Sequence, residues 1–175
     1  MKTILIVLSL LTLQAMPAAS QEDARLFLRD VYLTYVEGDG DGVPLSGPVI
    51  RNVFTDSLAD LIDADAKKGA AKRMNYDPLA DAELWEITDL RVAVRPISPT
   101  AAIGNVSFLN FGESAMVNVD LVKTKAGWRI DDIQVPDGRL RQLFEGPDPV
   151  AEAPLSNSPP VVPTESRATA SSPAP

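Results

Sequence analysis

Two stretches of this chain carry carboxylates at spacings that could do chemistry. Glu37-Gly38-Asp39-Gly40-Asp41-Gly42 sets acidic residues at alternate positions with glycine sixth, which imitates the first half of a calcium loop. The second half departs from that pattern. Pro44 stands where an apolar strand residue belongs, and Pro48 where a bidentate Glu is needed. The segment therefore reads as a flexible acidic loop, and no metal site is assigned. Asp131-Asp132 is the second stretch. Neighbouring residues of a strand point to opposite faces, so a paired-carboxylate site is not expected there, and Asp131 should lie opposite Trp128 and Ile130.

Other chemistries are absent by composition. The chain has no histidine and no cysteine. That excludes Ser-His-Asp and Cys-His catalysis, thiolate nucleophiles, disulfides and His or Cys metal sites. The formal net charge is −8, and an acidic surface disfavours nucleic acid and anionic lipid as partners.

The elements that must position any site begin after residue 20. Lys2 is followed by the apolar run Ile4 to Leu13, then Met16-Pro17-Ala18-Ala19-Ser20 with small residues before Gln21. This is the pattern of a secretory signal peptide over 1–20, too short an apolar run for a membrane span. Its removal takes away one lysine and brings the charge from −8 to −9. The expected location is periplasmic or secreted, without membrane insertion after cleavage. At the other end, 146–175 is rich in Pro, Ala and Ser and has no apolar period, so a disordered tail is expected.

Between them, 22–145 reads as one α+β domain. Leu28, Val31, Tyr32 and Tyr35 form one face of a helix over Glu22 to Val36. Ile50, Val53, Phe54, Leu58, Leu61 and Ile62 form a second helical stripe, either one kinked helix or two short ones with Thr55 as a cap. Beyond Trp85 the period changes to two. Strands are expected through Leu90, Val92 and Val94, ended by Pro96 and Pro99; from Ile103 to Phe111; through Val117, Val119 and Leu121; and from Trp128 to Val135. A turn and a short helical piece follow to Leu143.

This order resembles the cystatin-like, nuclear-transport-factor-2-like superfamily and, more narrowly, the domain of unknown function 3828 family. The resemblance spans about 24–144. It is carried by the Phe27–Tyr35 helix, Phe54-Thr55-Asp56-Ser57-Leu58 with Leu61, Asp77-Pro78-Leu79, and Gly127-Trp128-Arg129-Ile130-Asp131-Asp132-Ile133. One departure is Glu83, near where a Gln-Asp pair would be expected. The resemblance implies N-terminal helices packed on the concave face of a curved antiparallel sheet of about four strands, leaving a cone-shaped pocket. Tyr32, Tyr35, Tyr76 and Asp77 are then the polar residues expected to line it, with Trp85 and Trp128 as walls or core. Some relatives use a Tyr donor and an Asp base for proton transfer beside a carbonyl. Tyr32 and Tyr35, however, lie on the helix stripe as core residues do, and Asp before Pro is a common turn starter.

The reading that follows is an exported binding or interaction domain without catalytic activity and without a cofactor. Its expected partner is a protein or a small apolar ligand. Two alternatives stand beside it: a pocket enzyme of isomerase or dehydratase type using Tyr and Asp, and an immunity-like inhibitor of a basic partner protein.

Overall fold

The computed structural model describes residues 18–36, 40–136 and 138–145. Residues 1–17, most of the stretch expected to be a signal peptide, and the tail from 146 lie outside them. Helix α1 is Ala18–Leu33, α2 is Asp56–Ala66 and α3 is Leu140–Glu145. Strands β1 (Ile87–Ser98), β2 (Ala101–Asn110), β3 (Glu113–Thr124), β4 (Gly127–Val135) and β5 (Gly138–Arg139) form one antiparallel sheet in sequential order. The result is an α+β fold with helices on one face of an open sheet. Among the described residues no helix is long and apolar enough to cross a membrane.

Helix α1 lies across β1 and β2 and reaches β4, while α2 and α3 pack on each other and on β4. The helix stripe and the period-two strands meet as expected. Leu28 and Tyr32 are fully buried with Val106, Val119, Leu121 and Ile130. Their close approach depends on Gly104 of β2. A Cβ there would stand 2.4 Å from a Leu28 methyl and 2.8 Å from a Val119 methyl.

The second helical stripe is two pieces, a 3-10 turn at Pro48–Asn52 and then α2. Thr55 occupies the N-cap position of α2, but its hydroxyl does not cap the helix. It donates to Asp131 Oδ1 at 2.8 Å instead. The backbone between the two pieces runs beside β4: Thr55 N–H donates to Ile130 O and Ile130 N–H to Val53 O, each at 2.9 Å.

Three expectations are corrected. Of the two prolines expected to end β1, Pro96 lies within the strand, and Pro99 directly follows its last residue, Ser98. β1 is an edge strand, where a residue without an N–H breaks no ladder on its open side. Helix α1 begins at Ala18 rather than Glu22, so the last residues assigned to the signal segment are helical, with Ser20 buried. Third, β4 does not alternate strictly. Asp132 pairs with Asp120 and Ile130 with Leu121, leaving Asp131 as the extra residue of a bulge. The bulge resets the parity, so Trp128, Ile130, Ile133 and Val135 are all buried. Asp132 is not solvent-facing; it is 8% exposed and bound by Arg139.

Candidate functional site

An open cleft of about 360 Å³ lies beside the sheet, walled by the 41–45 loop, the end of α2 and the 72–85 segment. Its apolar lining is Val43, Leu45, Ile62, Met74 and Trp85, with Tyr76 half-buried among them. Asp41, Asp65, Lys72, Asp77 and Glu83 supply the polar groups. No residue of the five strands lines it. This differs from the cone-shaped pocket that the resemblance implies. The space between α1 and the sheet is filled by Leu28, Tyr32, Phe108 and their neighbours, and the opening is displaced to the loops.

The local sequence explains how those loops hold. Pro78 has no N–H to offer, so the carboxylate of Asp77 serves the next two residues. Its Oδ1 accepts from Leu79 N–H at 2.8 Å and from Ala80 N–H at 3.4 Å. Backbone hydrogen bonds between Asp77 and Ala82 close the turn. The other oxygen, Oδ2, accepts the Tyr35 hydroxyl at 2.8 Å. This joins the turn to the end of α1 across 42 residues of sequence. Trp85 stacks edge-on against Tyr35, with ring centroids 5.4 Å apart, and its indole N–H donates to Gly40 O at 2.7 Å. Gly42 closes the corner: its φ is +74°, and a Cβ would meet the Tyr35 ring at 2.6 Å. Within the described part of the acidic loop, Gly40 and Gly42 are thus packed against Trp85 and Tyr35, while Asp41 is exposed. Glu37 and Asp39 lie outside the described residues.

Asp65, which the sequence reading did not single out, does the same work at the end of α2. Both its oxygens accept from Arg73 N–H at 3.0 Å, and Oδ2 also accepts from Met74 N–H at 3.0 Å. It is 3% exposed and borders the cleft. The signal that could have found it is an Asp at the polar end of a helix, followed by a Gly-containing turn that leaves amides to be satisfied.

Burial sets the electrostatics of this corner. It raises the Asp77 carboxyl above its ordinary value, opposed by the hydrogen bonds from Tyr35, Leu79 and Ala80. Burial, and then the neighbouring Asp77 charge, raise Tyr35 well above the ordinary phenol value. Tyr32 is raised too, by burial first and then by Asp77 and Asp81. A proton acceptor for a substrate needs a free lone pair facing that substrate. Asp77 accepts from two amides and a phenol, which hold the turn shut and leave it about one lone-pair site, on Oδ2.

Of the six candidate pocket residues, Tyr76, Asp77 and Trp85 line the cleft, and Tyr35 stands directly behind it on Asp77 and Trp85. Tyr32 lies one layer deeper, between Tyr35 and Phe108, and its hydroxyl has no partner among the described residues. Trp128 is not part of the cleft. It is buried in β4 beneath Lys123, whose ammonium is 5.8 Å from the ring.

The aspartates of β4 also have structural partners. Asp131 pairs with Arg141 at 2.7 Å. Asp132 accepts from Arg139 at 3.2 Å, and its Oδ1 accepts from the Arg141 backbone N–H, also at 3.2 Å, at the start of α3. Arg139 also binds Asp120 on β3.

No protein-family model matches the chain, and no curated protein matches it. Among solved structures, a phospholipid-binding protein from Ralstonia solanacearum, in complex with a phospholipid, is similar to it. The identity is 19% and the TM-score 0.40, over 72% of this chain and 83% of that one.

Proposed function

We propose that this is an exported, non-catalytic binding domain whose cleft takes a small, mostly apolar ligand. In this reading the chain keeps the order of elements of the cystatin-like, nuclear-transport-factor-2-like superfamily but binds at the loops. The observation that carries the reading is the cleft itself: about 360 Å³ of space with apolar walls and an aromatic floor at Trp85. That volume suits a small ligand. The two buried carboxylates beside it each accept three hydrogen bonds, from backbone amides and, at Asp77, from Tyr35, which supports a structural role for them over proton transfer. The export half of the reading rests on the Lys2–Ser20 pattern.

The two tryptophans make a direct test possible. Titration with a neutral apolar dye should change the emission of Trp85 and leave that of Trp128 untouched. Trp85→Phe then removes the response and Trp128→Phe preserves it. Leu45→Glu, at a half-buried wall position, should abolish dye binding while circular dichroism stays unchanged. A response that survives both Trp85→Phe and Leu45→Glu would refute the cleft as the binding site.

A further inference from the structure

The hairpin between β2 and β3 turns on Phe111-Gly112, and both residues hold positive φ, +49° and +84°. Glycine adopts this conformation freely, whereas an aromatic residue there is strained. Nothing in the fold asks for the phenyl ring. The side chain is 60% exposed, and the contacts that fix the turn are made by other atoms. The Phe111 N–H donates to Glu86 O at 3.1 Å, and the Glu86 N–H donates to Asn110 Oδ1 at 2.9 Å. Two residues before Glu86, Leu84 is 75% exposed. The same end of the sheet is acidic on balance: segments 83–91 and 109–116 hold Glu83, Glu86, Asp89 and Glu113 against Arg91, which sits beside Asp89.

A strained, exposed aromatic beside a second exposed apolar residue is the pattern of an interface anchor. The carboxylates around it select the partner. We infer that this end of the sheet docks a protein that offers an apolar socket for Phe111 ringed by lysines or arginines. A second copy of this chain would bring its own net charge of −8 against the acidic tip, and an anionic membrane would repel it likewise. Glu83 borders both this surface and the cleft, whereas Leu84, Glu86, Phe111 and Glu113 line the surface and not the cleft, so variants at those four positions test it independently.

The test uses the full chain, isotopically labelled, titrated by NMR with an amphipathic helical peptide built of leucine and lysine. A leucine–glutamate peptide of the same pattern is the control. The expected footprint covers Leu84, Glu86 and 111–113, weakens as salt rises, and is absent with the acidic peptide. Phe111→Gly is the decisive variant: it should raise the melting temperature, because the strain is relieved, while weakening the lysine peptide at least tenfold. The pair Glu86→Lys and Glu113→Lys should weaken it further and flatten the salt dependence. A Phe111→Gly variant that melts lower, or binds as well as the parent, overturns the inference. So does a footprint confined to the cleft, equal binding of the acidic peptide, self-association through Phe111, or Phe111-dependent binding to phosphatidylglycerol vesicles.

Discussion

Two corners of this molecule hold aspartates, and they differ in whether a cation takes part. At the cleft, Asp77 and Asp65 are satisfied by neutral donors, backbone amides and the Tyr35 hydroxyl. At the seam of β4, β5 and α3, half-buried Asp131 and buried Asp132 are paired with the guanidinium groups of Arg141 and Arg139, and Asp132 also accepts from the Ile133 and Arg141 amides. The first corner keeps its shape through directional hydrogen bonds in a poorly solvated place, which is why burial raises the Asp77 carboxyl. The second lies nearer water and gains from charge pairing, which salt screens. Asp77 is therefore the group whose protonation should move stability, and the ion pairs of the seam are the contacts that should respond to ionic strength.

The largest effect is expected from Asp77→Ala. It strands two amides and a phenol, and at about 1 kcal/mol or more per lost partner it should destabilise the fold by about 3 kcal/mol in denaturant unfolding. Asp132→Ala should cost about 2 kcal/mol, with a smaller loss in 1 M salt (an ~3 Å screening length), whereas the Asp77→Ala loss should not change with salt. Equal salt sensitivity at the two positions would erase the contrast.

The two tyrosines sharpen it. Tyr35→Phe removes one hydrogen bond to Asp77 and should destabilise by about 1 kcal/mol. Tyr32→Phe removes a buried hydroxyl without a partner among the described residues, so it should be neutral or stabilise by up to about 1 kcal/mol. A thermal melt of each variant decides the sign.

The pH dependence is the smallest effect. A carboxyl whose value is higher in the folded than in the unfolded protein binds its proton more tightly when folded. Stability contributed by Asp77 is then fully present in acid and falls as pH rises from 3.8 through the folded value. Asp77→Asn should remove that part of the slope, seen as a flatter melting temperature on the acidic side.

Much of the fold was legible along the chain because its signals are local. The 3.6-residue period through Leu28, Val31 and Tyr32 and the period of two through Val117, Val119 and Leu121 each follow from which face must be dry, and both elements form, the helix shifted to Ala18–Leu33 with Tyr35 buried in the turn after it. The β4 bulge was not legible. An extra residue at Asp131 is set by pairing with β3 and by Thr55 and Arg141, which lie 76 and 10 residues away in sequence. That β1 runs through Pro96 and stops only before Pro99 was not legible for a related reason, since a proline ends a central strand but is tolerated at an edge, and edge position belongs to the sheet as a whole.

The candidate site divides the same way. That Tyr35 and Asp77 are polar residues beside apolar stretches is plain from their neighbours. That one donates to the other, with Trp85 against the ring and Gly42 over it, depends on bringing 35, 42, 77 and 85 together. By itself the sequence determined the amphipathic faces, the acidic charge and the absence of histidine and thiol chemistry, because these depend on residue type and short-range spacing. Tertiary structure alone decided that the helix–sheet interior is filled, that the opening lies among the loops, and which carboxylates are caps, because those outcomes turn on close packing and long-range hydrogen bonds.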